Sequence, residues 1–290
     1  AGLPDVTVHP SPLNYRLRSR LHRDASGAVG FYAMRSNRVV PLTSACEVVG
    51  VETAKTYGTD TAARSASGAP DAALHEHHPD SVEDDDPSTG QIWEIDGEVI
   101  SGEQELTVSA GRFAYRVSTT SFFQVNRHLL GTMIELVTAH ASRVERKRYA
   151  VDLYAGAGFF SAPLATVFDH VTAIESAPAS VHYARLNTPR SVKIVDSPVE
   201  RWLPKMRETD CTFLDPPRAG AKPEVIDTVA ERTRESILYL SCDPVTFARD
   251  ASRLVSVGWN LTSLDLLDLF PNTHHLETLG TFTRAFMVGS

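Results

Sequence analysis

Of three cysteines in the 290-residue chain, Cys242 occupies the place where a thiol can act as a nucleophile. It follows the apolar run "ILYLS" and precedes "DPVTFARD". Ile237 to Leu240 read as a short buried strand. Asp243 suits a helix N-cap, and Pro244 the first helical position, where its missing N–H costs nothing. Val245, Ala248, Leu254 and Val255 then recur at roughly helical spacing. A cysteine between a strand tip and a helix N-terminus lies at the positive end of the helix dipole, which favours thiolate over thiol. The same place also suits a small buried residue. In "FLDPPRAG", Asp215 ends a strand before two stiffening prolines; it can accept from a ring N–H or from a cofactor, or simply close a turn. In "FPNTHHLET", Glu277 opens a strand next to His274 and His275, which fit packing, hydrogen bonding or proton transfer, in that order.

These residues need a frame that brings them together, and the pattern from about residue 119 supplies one. "NRHLLGTMIELVTAHA" reads as a helix with Leu129, Leu130, Met133, Ile134 and Val137 as its apolar stripe. Strands and helices then alternate: "YAVDLYA", "FFSAPLATVF", "VTAIES", "ASVHYARLN", "VKIVDS", "CTFLDPP", "KPEVIDTVAERT", and the Cys242 strand and helix. Such βαβ repetition implies a doubly wound parallel sheet. "WNLTSLDLLDLF" and "ETLGTFTRAFMV" are joined by a segment too short for a crossover helix, so the last strand is antiparallel. The expected class is α/β, a Rossmann-like methyltransferase ground plan, with a smaller β-rich domain before it. Ligands in such sheets bind at the carboxyl ends of the strands. An antiparallel strand starts at that end, so topology alone brings Glu277 near Cys242 and Asp215. In "VDLYAGAGFF" a strand ends in Gly156-x-Gly158, where small residues admit a ligand to the backbone. Glu175, 17 residues on, is placed to accept from ribose hydroxyls. Ser161 stands where a dinucleotide fingerprint has its third glycine, which favours S-adenosylmethionine over NAD.

Residues 1–118 read as the β-rich domain and 119–290 as the methyltransferase domain. Residues 58–90, rich in Gly, Pro, Ser and Asp, read as a flexible acidic segment. Its His75, His77 and His78 are a polar tract rather than a metal site. The formal net charge is -8. Between Arg64 and Arg112 there are twelve acidic and no basic residues, and the remainder holds 24 acidic and 28 basic. "YRLRSRLHR" contains Arg16, Arg18, Arg20 and Arg23, a candidate phosphate-binding strand face or a solvated one. No run of 18 apolar residues exists and no signal-type core opens the chain, so no membrane partner is expected; three widely separated cysteines suit a reducing cytoplasm, and a monomer is the default. The chain begins with Ala, as a trimmed chain or fragment does.

A thiolate, a carboxylate and a methyl donor in one cleft match one chemistry. Uracil carbon 5 is a poor nucleophile until a thiolate adds to carbon 6. A base must afterwards remove the carbon-5 proton. Cys242 and Glu277 fit those two roles. Together "FFQVN", "DLYAGAGFF", "DPPRAG", "SCDPVTFARD" and "FPNTHHLE" resemble the RNA 5-methyluridine methyltransferase family. "NYRLRSRLH" and "GFYAMRSNRVV" look like its central β domain. The resemblance implies S-adenosylmethionine-dependent methylation of uridine in RNA, 23S ribosomal ahead of transfer RNA. It makes Cys242 the nucleophile and Glu277 the base. It assigns Gln124, Tyr154, Gly156, Phe159, Glu175, Asp215 and, more weakly, Asp196 to the donor, and Gln124 and Asp215 also to the uracil. Phe122 or Phe123 is a candidate to stack on a flipped base, core packing being the alternative for at least one.

Asp243 and Ala155 depart from residues frequent in that family, and no N-terminal RNA-binding barrel is visible in this sequence. Cys46 matches the last of four iron–sulfur ligands found in some members, but the other three are missing, so no cluster is expected in this chain. Cys211 reads as core. An NAD-dependent oxidoreductase or a non-catalytic RNA-binding module are the alternatives; the first leaves Cys242 and Glu277 unused, and the second predicts that Cys242 is dispensable.

Overall fold

The computed structural model describes residues 3–33, 36–43, 46–49, 92–95, 98–101, 105–118 and 121–284. The whole acidic segment, residues 58–90 with His75, His77 and His78, lies outside them. The chain forms two compact units, residues 13–106 and a larger one of residues 1–12 with 107–290. In the smaller unit, strands β2 (Arg18–Arg23), β3 (Val29–Tyr32), β4 (Val39–Pro41), β5 (Ile92–Ile95) and β6 (Glu98–Ser101) form a sheet of order β4-β3-β2-β5-β6. Leu21, Val29, Leu42 and Val49 make its core, with half-buried Cys46 against them. Arg20 is exposed, whereas Arg16 lies before the strand with its guanidinium over the Phe31 ring. The arginines therefore do not form one uniform face.

The larger unit is built on an eight-stranded sheet. Its elements are β1 (Val6–His9), α1 (Leu130–Ser142), β9 (Tyr149–Leu153), α2 (Ser161–Leu164), β10 (His170–Glu175), α3 (Pro178–Asn187), β11 (Val192–Asp196), α4 (Val199–Trp202), β12 (Thr209–Leu214), α5 (Pro223–Arg232), β13 (Thr233–Ser241), α6 (Pro244–Ser256), β14 (Trp259–Leu267) and β15 (Glu277–Arg284). A hairpin, β7 (Glu105–Ala110) and β8 (Phe113–Ser118), precedes them. The sheet order is β1-β14-β15-β13-β12-β9-β10-β11. Only β15 runs against its neighbours. The expected parallel α/β sheet with one antiparallel strand is the fold observed.

Apolar runs explain the centre. Every residue of β12 is buried, as are Ile237–Leu240 of β13, and Val225, Ile226 and Val229 of α5 cover them. Each such side chain contributes about 1.5–3 kcal/mol by leaving water. Three features differ from the sequence reading. β1 joins the large sheet, pairing in parallel with β14 from Val6↔Leu264 to His9↔Leu267. β13 starts four residues before its apolar run, at Thr233, whose hydroxyl meets that of Thr212 at 2.6 Å. α6 buries Phe247, Asp250, Ala251 and Leu254, while Val245 and Val255 are exposed. The spacing 247, 251, 254 marks the true inner stripe, and valines 245 and 255 fall outside it.

Candidate active site

The strand order reverses about β9: β10 and β11 lie on one side of it and β12 on the other. A crevice at the carboxyl ends follows from that reversal. The strand tips are stitched together there. Ala155 N donates to Ile174 O at 3.0 Å, Asp215 N to Leu153 O at 3.3 Å and Ser197 N to Glu175 O at 2.9 Å.

The turn after β9 is tight. Tyr154 has φ 62°, Gly156 54° and Gly158 82°. A left-handed tyrosine is unusual and costs of order 1–3 kcal/mol, a strain held by its surroundings. A Cβ on Gly156 would meet only the Phe122 ring, at 4.0 Å, so the space over the turn is open. At Gly158 a Cβ would strike Thr188 at 2.7 Å and Ala184 at 3.3 Å, because α3 packs against it. Glu175 is fixed by three backbone donors: Gly156 N to Oε2 at 2.9 Å, and Ser176 N and Ala177 N to Oε1 at 2.7 Å each. One lone pair of Oε2 remains for a further donor such as a ribose hydroxyl. Asp196 pairs with Glu175 in register and is exposed. The open turn and this carboxylate fit an adenosyl group.

Gln124 is buried and its Nε2 donates to Asp215 Oδ2 at 3.4 Å. Phe122 is 64% exposed, whereas Phe123 packs on Tyr115 and Phe159 at 5.6 and 5.2 Å. Phe123 and Phe159 are thus core, and Phe122 alone of the aromatic pair is free to stack.

Cys242 lies immediately after β13, and Asp243 caps α6, its Oδ1 accepting from Val245 N at 2.9 Å and Thr246 N at 2.8 Å. Thr278 pairs with Ser241, which puts Glu277 across from Cys242 at the end of the ladder. Glu277 is 6% exposed and its Oε2 has no hydrogen-bond partner. Burial pushes its carboxyl up to about 8, with Arg218 opposing. Burial, then the charges of Glu277 and Asp152, hold the Asp215 carboxyl well above the usual range. The Cys242 thiol is also raised, by burial and by Glu277 and Asp215, against Arg218. Partial burial, and then the neighbouring carboxyls, thus act on Cys242 against the thiolate expected from its place before a helix. His274 is exposed and half-buried His275 stacks loosely on it at 4.1 Å, with burial lowering the His275 imidazole.

The geometry adds residues that motif reading passed over. Asp152 is buried beneath the turn, accepts from the Ser161 hydroxyl and is pushed up to about 7, mainly by burial. Ser161 thus occupies the place of a glycine and holds Asp152. Tyr115 OH donates to Phe159 O at 2.8 Å, and Asn187 Nδ2 to Ala157 O at 2.9 Å. Both brace the turn from a distance in sequence that no local pattern reveals. Arg218, exposed, is the cation whose field reaches Cys242, Glu277 and His275.

Comparison with known proteins decides the family. The family model described as tRNA (Uracil-5-)-methyltransferase matches residues 87–196 and 205–285. The chain belongs to the tRNA (uracil-5-)-methyltransferase family. An uncharacterized RNA methyltransferase of Corynebacterium glutamicum is 30% identical over 286 residues, 93% of this chain and 68% of the relative. Another, of Bifidobacterium longum, is 34% identical over 212 residues, 66% of this chain and 48% of the relative. The chain spans about half the length of several such curated relatives. Among solved structures, the tRNA (uracil-54, C5)-methyltransferase of Pyrococcus abyssi, in complex with S-adenosyl-L-homocysteine, superimposes with a TM-score of 0.68. It is 20% identical, over 96% of this chain and 79% of that one, and so supports the fold. The family's matched span takes in all of Gln124, the glycine turn, Asp215, Cys242 and Glu277.

Among the described residues no group of three or more His, Cys, Asp or Glu is arranged to hold a metal ion. No helix among them is long and apolar enough to cross a membrane.

Proposed function

We propose that this chain carries the catalytic site of an S-adenosylmethionine-dependent methyltransferase acting on carbon 5 of a uridine in RNA. The observation that carries the reading is the pairing of β13 with β15, which sets Glu277 across from Cys242 at the mouth of the crevice. Family membership and the open glycine turn beside Glu175 support it. Gln124, Tyr154, Gly156, Phe159, Glu175, Asp196 and Asp215 border the place of the donor. Bound there, S-adenosylmethionine supplies an electrophilic methyl group and a positive charge among carboxylates.

The Cys242 thiolate adds to carbon 6 of the uracil, and the ring π pair moves onto carbon 5 and the carbonyl as an enolate. Gln124 and Asp215 hold the polar edge of the base; a raised Asp215 carboxyl can donate to a carbonyl as well as accept from N–H. Carbon 5 uses that electron pair to bond the methyl as the methyl–sulfur bond breaks, its electrons staying with the departing S-adenosylhomocysteine. Glu277 then removes the carbon-5 proton, the carbon 5–carbon 6 double bond re-forms, and the bond to Cys242 sulfur breaks. A buried Glu277 with an unpartnered oxygen is a stronger base than a solvated one. Phe122 is the aromatic available to stack on the flipped base.

RNA carrying 5-fluorouridine at the target blocks proton removal and traps the adduct. Incubated with S-adenosylmethionine, wild-type protein should form a covalent complex resolved on a denaturing gel, mapped by mass to Cys242. Cys242→Ala should form none and retain less than about one-thousandth of turnover. Normal methylation by Cys242→Ala would refute the mechanism. Ribosomal and transfer RNA substrates assayed in parallel, with mass mapping of 5-methyluridine, identify the RNA class; 23S ribosomal RNA is the expected one.

A further inference from the structure

The segment that follows Asp215 is bound to the helix that follows Cys242 by a compact network. Asp250, on the inner face of α6, is 3% exposed. Its Oδ2 accepts from Tyr239 OH at 2.7 Å and from Ala221 N at 3.0 Å. Its Oδ1 accepts from Arg249 Nε at 2.8 Å. Arg249 Nη2 in turn donates to the carbonyls of Ala219 and Ala221, both at 3.1 Å. Thr246 Oγ1 lies 3.3 Å from the Arg218 carbonyl. The loop meets this grip in a matching shape. Gly220 has φ 75° and its N donates to Pro217 O at 2.7 Å. A Cβ there would lie 2.4 Å from Arg249 Nη2 and 2.7 Å from Asp250 Oδ2.

Three pieces are thereby tied at one point: the strand that leads to Cys242, through Tyr239; the loop that leaves Asp215, through Ala219 and Ala221; and the first turns of α6. A carboxylate is an expensive residue to place on the buried face of a helix unless every oxygen is satisfied. Here both are, by Tyr239 of the strand that leads to Cys242, by Ala221 of the loop that leaves Asp215 and by Arg249 of α6 itself. A guanidinium can reach one carboxylate and two carbonyls at once; an ammonium on a flexible stem cannot do so in fixed geometry.

We propose that Asp250 and Arg249 are positioning residues, a clamp that sets the placement of Asp215 and Arg218 relative to Cys242. The proposal rests on the function proposed above for those groups, and its test separates the two. A displacement of about 1 Å at such a remove costs on the order of 100-fold in rate. Asp250→Asn, Arg249→Met and Arg249→Lys should each lower kcat by about 100-fold while KM for RNA stays within about threefold, and lysine should not rescue. Gly220→Ala pushes a methyl into the clamp from the loop side with both charged residues intact, and should give the same loss. In every variant, amide hydrogen exchange of residues 216–222 should accelerate while that of 149–158 stays as in wild type.

A purely stabilising role predicts a lower melting temperature with kcat per folded molecule unchanged, and that result would overturn the clamp. So would unaltered exchange at 216–222 in Asp250→Asn and Gly220→Ala. If the wild-type chain methylates no uridine, the proposed function fails, and the exchange measurement decides the clamp by itself.

Discussion

Glu277 shows how a residue can be both costly and useful. Its carboxyl ionises near 4.5 when solvated and is pushed up to about 8 by burial in the fold. The folded chain therefore holds a proton that the unfolded chain releases. The stability contributed by that proton is full below pH 4.5 and is lost as pH rises to about 8. Glu277→Gln removes the titration while nearly keeping shape. In urea unfolding the variant should match wild type near pH 4.5 and exceed it by about 4–5 kcal/mol at pH 8.5. A constant difference across that range would show that Glu277 is not buried as an acid. Activity has the opposite slope. Under the proposed mechanism Glu277 must be ionised, and the Cys242 thiol is raised as well, so wild-type kcat/KM for S-adenosylmethionine should climb with pH through about 8. Cys242 itself was legible from its flanks, a buried strand and an Asp-Pro helix start. Its acidity was not, since Asp215, after β12, and Glu277, at the start of β15, lie 27 and 35 residues away.

At the scale of elements, parallel strands were legible because they are apolar on both faces, and helices because caps and periodicity agree. Misreadings arose where polar residues are buried. α6 carries Asp250 inward, so its apolar pattern is interrupted on the very face that packs, and Val245 and Val255 mislead. Val245 is 76% exposed. Val245→Ser should change stability by no more than about 0.5 kcal/mol. Phe247 is buried, stacks at 5.5 Å on Tyr239 and packs close to Gly280, where a Cβ would lie 2.5 Å from its ring. Phe247→Ala should cost about 3–5 kcal/mol in the same urea titration. The glycine turn gives a second test. Gly158→Ala adds a methyl against Thr188 and Ala184 at a left-handed φ, and should cost about 1–3 kcal/mol and weaken S-adenosylhomocysteine binding by calorimetry. Gly156→Ala meets open space, pays only for φ and should weaken stability less.

The whole molecule is divided differently from its sequence pattern. Composition changes near residue 118, yet the larger unit takes residues 1–12 and 107–118 as well. β1 was illegible because its four residues are mostly exposed and its partner is some 255 positions away. What anchors it is chemical as much as geometric. His9 Nε2 meets Asp265 Oδ1 at 2.9 Å, and the same buried carboxylate takes His140 Nε2 at 3.2 Å and Ser263 Oγ at 3.1 Å. Asp268 N donates to His9 O at 3.0 Å, and Asn126 Nδ2 donates to Ser11 Oγ at 2.8 Å. β8 supplies Tyr115 to the glycine turn and, through Arg116, holds Asn187, whose Oδ1 accepts from Arg116 N at 2.7 Å. A chain cut at residue 119 loses the contacts of His9, Ser11, Tyr115 and Arg116, bares the edge of β14 and leaves Asp265 with one fewer partner. It should aggregate or melt well below wild type and fail to bind S-adenosylhomocysteine. A chain in which a flexible Gly/Ser linker joins Pro12 to Thr107 keeps them, and should bind S-adenosylhomocysteine with an affinity within about threefold of wild type, since every residue proposed to border the donor lies in the larger unit. Circular dichroism melts and calorimetry on the two chains decide the matter: equal behaviour of both would mean that β1 and β8 are accessories, and that the boundary lies where the composition changes.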